Sequence, residues 1–117
     1  MCYAQQRCIF GKTIAEHQAI AFQSVEMTTK AQVVYFMLVN TAWLKDSGEC
    51  NDLAADMAKY LASEFCSEIT QQGFRMHGGD CKDDAIEQLI CHAPFLFIGE
   101  GTSEVQESTT GKRLLNE

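Results

Sequence analysis

The chain has 117 residues, of which 46% are hydrophobic, and a formal net charge of −7. This length and composition predict one globular domain. The acidic balance without a basic patch argues against nucleic acid as a partner. No uncharged apolar run reaches about 18 residues, so we predict no membrane span, and the first residues do not resemble a signal peptide.

The six cysteines are even in number but irregular in spacing. An even count admits disulfides. However, Cys8, Cys66 and Cys91 fall among apolar residues on predicted helices or at their ends, where a free cysteine behaves as a small core residue. We therefore predict reduced, buried thiols and a reducing compartment, the cytoplasm or another such as the mitochondrial matrix.

The predicted elements are all α-helical, since a single proline and eight glycines leave long stretches unbroken. We predict that residues 1–10 form the end of a helix that stops at Gly11. The second predicted helix opens at Thr13, with Glu16 at capping-box spacing, and continues to about Asp46.

The second half of that helix, residues 33–39, is apolar on every side. A helix with this pattern is buried on every face. A lone domain of this size cannot surround it, so we predict that part of the helix contacts another chain.

A third predicted helix runs from Asn51 or Asp52 to about Met76 with apolar residues at helical spacing. After a break, a short fourth helix runs into Pro94, and a last one covers residues 103–115. We predict a single domain over 1–117 that forms a four-helix antiparallel bundle, with 1–12 as the end of a preceding helix and 103–117 as the last helix and tail.

Glu100 stands between two glycines immediately before this last helix. Ser103 and Gln106 are spaced as a capping box, and Thr102 is the alternative cap. The apolar residues 95–98 lead into the turn and would desolvate the carboxylate, which makes it a better base near neutrality. By itself, a Gly-Glu-Gly turn is weak evidence of a catalytic base, because a solvated carboxylate is the usual explanation of such a turn.

Residues 99–106 (GEGTSEVQ) resemble the Glu-Gly-Thr-Ser-Glu-Ile-Gln signature of the flavin-dependent acyl-CoA dehydrogenases. Residues 7–18 (RCIFGKTIAEHQ) resemble the Arg-x-x-Phe-Gly-x-x-Ile-x-x-x-Gln segment of the same family. Further short matches follow in the family's order: AWLKD at 42–46, MAK at 57–59, ASE at 62–64 and HGG at 77–79. The resemblance covers only the family's C-terminal helical domain, so we expect its N-terminal helical domain and middle β-domain to be absent.

The resemblance implies that Glu100 removes the α-proton of an acyl-CoA thioester while a hydride leaves the β-carbon for the flavin. It implies that an electron-transfer flavoprotein accepts the electrons. Arg7 would pair with the pyrophosphate of FAD, as a guanidinium suits phosphate. The other implied FAD contacts are Phe10, Gln18, Gly78, Gly79, Thr102 and Glu104.

Departures from the family's pattern gather around the cofactor positions. The loop after Gly79 is shorter, residues 91–92 replace an Arg-Asp pair, and Pro94, Glu107 and Arg75 are atypical. We therefore predict the C-terminal domain of an acyl-CoA dehydrogenase-like flavoprotein that is inactive as a lone chain. The alternative is a non-catalytic helical module that forms a homo-oligomer or docks on a fuller homologue. The irregular His and Cys spacing predicts no metal site.

Overall fold

A computed structural model describes residues 2–83 and 85–116. It confirms the all-α prediction. The helices in these residues are α1 (Cys2–Gln6), α2 (Gln18–Asp46), α3 (Asp52–His77), α4 (Ala85–Leu96) and α5 (Ser103–Asn116).

The long helix α3 is the centre of the bundle, because α2, α4 and α5 each pack against it. Small residues make this possible: the fully buried residues of α3 are Ala58, Ser63, Thr70 and Gly73. A Cβ added at Gly73 would lie only 3.0 Å from Cδ1 of Ile86 on α4. The result is an elongated domain of 58 × 24 × 23 Å.

The N-terminal segment differs from its prediction. The helix expected over residues 1–10 ends at Gln6, and β1 (Cys8–Ile9) then pairs antiparallel with β2 (Lys12–Thr13). Phe10 and Gly11 between the strands have φ values of +52° and +79°. Two consecutive positive φ angles are typical of a two-residue hairpin turn and cannot continue a helix.

The start of α2 is also corrected. Thr13 opens only a 3₁₀ turn, Ile14–Glu16, and His17 is extended before α2 begins. The Glu16 carboxylate accepts hydrogen bonds from the Thr13 hydroxyl (2.9 Å) and from the Thr13 backbone N–H (3.0 Å). These bonds hold the pKa of Glu16 below its ordinary value of 4.5. The predicted pairing of these two residues is therefore present, but it closes a short turn.

Helix α2 has two apolar faces and no fully buried residue. Its partly buried residues recur every three or four positions, as expected for the face packed on α3. A second set of large apolar side chains, which we call the outer stripe, is 40–65% exposed; it comprises Phe22, Val25, Val33, Phe36 and Trp43. None of the described helices combines the length and hydropathy that crossing a bilayer requires.

The prediction of buried thiols is wrong. Cys2, Cys8, Cys50 and Cys91 are exposed, and Cys66 is partly buried. All five are free thiols, while the side chain of Cys81 lies outside the described part of the chain. Cys8 is exposed because it lies on the hairpin that replaces the predicted helix.

Candidate active site

The connection between α4 and α5, residues 97–102, forms what we call the Glu100 turn. Helix α4 continues through Pro94 to Leu96, further than predicted. The N–H groups of Ile98 and Gly99 then donate to the Phe95 carbonyl at 3.0 and 2.9 Å. Glu100 has φ +60° and Gly101 has φ +96°. A left-handed non-glycine residue costs roughly 1–3 kcal/mol, so the surroundings must hold it there.

Side chains from the two neighbouring helices hold this turn. Lys59 Nζ of α3 donates to the carbonyls of Leu96 (3.0 Å) and Gly101 (2.6 Å). Ser63 Oγ lies 3.0 Å from the same Leu96 carbonyl and 3.0 Å from the Lys59 carbonyl, so its one proton is shared between them. From α5, Gln106 Nε2 donates to the Glu100 carbonyl at 3.1 Å. The backbone on both sides of Glu100 is therefore fixed to helices.

Thr102, not Ser103, caps α5. The Val105 N–H donates to Thr102 Oγ1 at 3.3 Å, whereas Ser103 is already helical and its hydroxyl donates to Glu64 Oε1 at 3.0 Å. The predicted capping box of Ser103 and Gln106 is therefore wrong, and the Thr102 alternative holds.

The N-terminus of α5 already carries an anion. The Glu104 carboxylate bonds its own backbone N–H and the Thr102 hydroxyl, and both bonds hold the pKa of Glu104 below its ordinary value of 4.5. A charged carboxylate at a helix N-terminus is favoured by the helix dipole. This end of α5 therefore suits a hydroxyl-bearing ligand group better than a second anion.

Glu100 lines a groove of about 610 Å³ between α2, α3 and the end of α4. The walls include Leu38 of α2, Ala58 and Ala62 of α3, and Phe95 of α4. The lining is largely apolar with a carboxylate at its edge, which is the character of many small-molecule sites. The predicted desolvation of Glu100 does not occur within this chain, because Glu100 is exposed and Phe95 is 69% exposed.

Gly78 and Gly79 directly follow the C-terminal end of α3, and Arg7 lies near them, whereas Thr102 and Glu104 lie beside the Glu100 turn. Tyr3 of α1 stacks on the His77 ring with centroids 4.3 Å apart. Its hydroxyl donates to Asp80 Oδ2 at 2.7 Å, and the His77 carbonyl lies 3.3 Å from the same hydroxyl oxygen. Arg7 Nη1 lies 3.6 Å from the same Asp80 oxygen. These contacts place Arg7 next to Asp80, the residue that directly follows the glycine pair 78–79.

The glycine pair leaves its backbone open. A Cβ added at Gly78 or Gly79 would meet no heavy atom within 4 Å, and Gly78 has φ +58°. Phe10 is 93% exposed at the hairpin tip, with its ring 6.4 Å from that of His17, and Gln18 is exposed at the start of α2. The structure thus gathers Arg7 and the glycines, with Phe10 and Gln18 on adjoining elements.

The two groups of predicted residues lie at different places along α3. Lys59 contacts the Glu100 turn and His77 contacts α1. At 1.5 Å per residue, these two positions are roughly 27 Å apart along the helix axis. Glu100 and Arg7 therefore do not converge on one point within a single chain.

The residues at the Arg7 end fit the phosphate groups of a dinucleotide. The Arg7 side chain is half exposed, and its five N–H donors are not exhausted by one long contact with Asp80. Open glycine backbone beside it allows close approach. Among the residues that the structure describes, Asp80 opposes an anion here. Among the described residues, no group of three His, Cys, Asp or Glu side chains could hold a metal ion.

The sequence did not reveal the residues that hold the Glu100 turn and the Arg7 site in place. Lys59, Ser63 and Glu64 lie in short matched motifs but received no role, although the spacing of Lys59 and Ser63 by four signals a shared helix face. Tyr3 and Asp80 were missed because only the fold brings residues 77 positions apart together.

The comparison with known proteins agrees with this architecture. Residues 1–115 match the family described as acyl-CoA dehydrogenase, C-terminal domain. The chain belongs to this family. It is 40% identical over 115 residues to 3-(aryl)acrylate reductase of Clostridium sporogenes and 38% identical to the caffeyl-CoA reductase-Etf complex subunit CarC of Acetobacterium woodii. Each match covers 97% of this chain and 30% of the relative.

Solved acyl-CoA dehydrogenase structures share the fold. The butyryl-CoA dehydrogenase of Megasphaera elsdenii superposes with a TM-score of 0.94 at 29% identity, over 97% of this chain and 30% of that one. The chain therefore spans about 30% of the length of the family members it matches. The predicted resemblance and the helical-bundle fold are both confirmed.

Proposed function

We propose that the chain acts as the C-terminal domain of a flavoprotein that catalyses α,β-dehydrogenation of acyl-CoA thioesters, with Glu100 as the base. The observation that carries this proposal is the locked Glu100 turn at the edge of an apolar groove. A strained, over-determined backbone conformation is typical of catalytic positions. The Glu100 carboxylate would take the α-proton of the substrate, and an electron-transfer flavoprotein would accept the electrons.

FAD, when bound, supplies the oxidant that accepts the β-hydride. Arg7 would hold its pyrophosphate with the open backbone of Gly78 and Gly79, while Phe10 and Gln18 would contact it from the hairpin and α2. Thr102 and Glu104, at the start of α5, would bond its hydroxyl groups. The Arg7 site and the Glu100 turn are roughly 27 Å apart along α3. We therefore propose a homo-oligomer in which Arg7 binds the cofactor of a neighbouring subunit.

We further propose that the chain by itself is inactive. Glu100 is exposed, and the groove beside it opens to solvent. A base that acts on a weakly acidic carbon needs water excluded around it. The missing walls would come from further domains, on the same or another chain, equivalent to the remainder of the longer relatives.

The direction of the reaction is a separate question. Two of the similar proteins are named reductases. In the reductive direction the same Glu100 carboxyl group would donate the α-proton, since acid and base roles exchange when a reaction runs backwards. The assay is therefore run both ways.

A chimera tests the proposal. Residues 1–115 replace the matching 30% of the Clostridium sporogenes relative, and the protein is purified with FAD. We expect flavin reduction by acyl-CoA or flavin reoxidation by the unsaturated substrate. The variant Glu100→Gln should lower the rate by about 10²–10⁴-fold. The control Glu87→Gln, an exposed residue of α4, should not. Equal rates for both variants would contradict the role of Glu100.

The outer stripe favours a second function, self-association of a non-catalytic module. Trp43 and Phe36 are 60% and 64% exposed, and burying one such side chain contributes about 1.5–3 kcal/mol. Multi-angle light scattering over a wide concentration range should show a dimer or larger species that Trp43→Glu dissociates. A monomer at every concentration would contradict this function. Glu100→Gln should leave the assembly unchanged.

A further inference from the structure

Lys59 and Ser63 lie four residues apart on one face of α3 and contact the same stretch of chain. Lys59 Nζ reaches the carbonyls of Leu96 and Gly101, and Ser63 Oγ reaches that of Leu96. Those carbonyls bracket residues 97–100. The segment that carries Glu100 is therefore anchored to α3 before it begins and after it ends.

The charge of Lys59 suits this position. The last carbonyl groups of a helix lack intrahelical partners and carry partial negative charge. Leu96 ends α4, so its carbonyl is one of these groups. A lysine ammonium has three donors and no acceptor, and its hydrogen bonds to carbonyls are stronger than those between neutral groups. One side chain thereby satisfies the end of α4 and the far side of the turn.

We propose that Lys59, assisted by Ser63, is a positioning residue for Glu100. It holds Glu100 in its left-handed conformation so that the carboxylate stays at the edge of the groove. The proposal rests on the proposed function only for its catalytic consequence. Lys59 acts through the carbonyl of Gly101 and takes no part in the proton transfer.

We call the contacts of Lys59 and Ser63 with Leu96 and Gly101 the clamp. The clamp matters because the backbone of Glu100 is strained. A glutamate at φ +60° tends to relax to negative φ when nothing prevents it. Such a relaxation would rotate the side chain away from its place. A misplacement of about 1 Å at a catalytic group costs on the order of 10²-fold in rate.

Amide hydrogen exchange on the full chain tests the clamp directly. The amides of Phe97, Ile98 and Gly99 donate to carbonyls at the end of α4, so their exchange reports separation of the turn from that helix. We expect Lys59→Met to speed their exchange about tenfold and Ser63→Ala to do so less, with the last two turns of α3, up to His77, unchanged. The control Lys45→Met, at an exposed lysine of α2, should have no effect. Unchanged exchange in Lys59→Met would overturn the proposal.

Kinetics in the chimera separate positioning from general destabilisation. Lys59→Met should lower kcat by about 10–100-fold with KM within about twofold, and Lys59→Arg should restore part of kcat because it keeps a donor at this place. An unchanged kcat, or a loss that merely follows a lower melting temperature, would overturn the catalytic consequence. If the wild-type chimera has no activity, the proposed function fails, and amide exchange still decides whether the clamp exists.

Discussion

Two places along α3 are built in opposite ways: the Glu100 turn, beside Lys59 and Ser63, and the Arg7 site, beside His77 at the C-terminal end. At the Glu100 turn, side chains from α3 and α5 bond the carbonyls of residues 96, 100 and 101. At the Arg7 end, the guanidinium meets Asp80 through one long contact between half-exposed side chains, and the adjoining glycines face open space. The Glu100 turn is fixed by the chain itself, whereas the Arg7 site leaves room for an incoming group.

This difference matches what each end is proposed to do. A base that removes a proton needs a fixed position relative to its substrate. The phosphate groups of a cofactor can instead form their contacts as they bind, provided that a cation and backbone N–H groups are accessible. The comparison suggests that the base is pre-organised at the Glu100 turn, whereas the phosphate site at Arg7 is completed by the cofactor, whose hydroxyl groups Thr102 and Glu104 would bond.

The largest effect on stability should come from a substitution in the Glu100 turn. Gly101→Ala places a Cβ on a residue with φ +96° and only 2.9 Å from Gln106 Nε2. We expect a loss of about 1–3 kcal/mol in the free energy of unfolding, since alanine is strained at positive φ. Urea denaturation measures it.

Gly111→Ala is the matched control. Gly111 lies inside α5, does not have positive φ, and an added Cβ there meets nothing within 4 Å. Alanine should therefore stabilise the chain by up to about 1 kcal/mol through helix propensity. If both glycine variants changed stability in the same direction, the Glu100 turn would not be constrained as described.

A smaller effect is expected on nucleotide affinity at the Arg7 site. Asp80→Asn removes the negative charge beside Arg7 and leaves an oxygen that can accept the Tyr3 hydrogen bond. We expect ADP to bind about three- to fivefold more tightly, the amount that corresponds to a half-exposed ion pair. Calorimetric titration measures the affinity, with the exposed Asp46→Asn as control. Unaltered affinity in Asp80→Asn would show that Asp80 does not compete for Arg7.

The smallest effect is on the pH dependence of stability, for Glu104 beside the Glu100 turn and for Glu16 just before α2. The pKa values of Glu104 and Glu16 are lowered from 4.5 in the folded chain. The unfolded state therefore binds more protons, so this stabilisation is complete above the ordinary value and is lost as the pH falls through the folded-state value. Glu104→Gln and Glu16→Gln should each lose less stability than the wild type between about pH 6 and pH 3. Unfolding curves steeper in pH than the wild type's would contradict the assigned bonds.

The sequence predicted the helices well, but not the start of α2 or the end of α4. Apolar spacing placed α3 within a residue or two, because periodicity survives in any packed helix, and the capping residues placed the start of α5. The hairpin at residues 8–13 was missed, since a Phe-Gly turn with positive φ at phenylalanine is rare in sequence statistics. Buried thiols were predicted from apolar neighbours, which cannot show on which side of an element a cysteine lies.

The candidate site was predicted in part. The motifs around Glu100 and Arg7 identified the family, and the family comparison confirms that identification. They could not show that these residues lie at two places along one helix. Nor could they assign Lys59, whose contacts with residues 96 and 101 exist only after α4 and α5 pack on α3.

The most direct test of the account measures FAD affinity and flavin reduction rate for Glu100→Gln and Arg7→Ala in the chimera. We predict a crossed result. Glu100→Gln abolishes flavin reduction and keeps FAD affinity within about twofold, while Arg7→Ala weakens FAD binding about tenfold or more and leaves the rate at saturating FAD nearly intact, as removal of a charge-assisted phosphate contact predicts. If both variants altered the same quantity, or neither altered any, the separation of chemistry and cofactor binding along α3 would be contradicted.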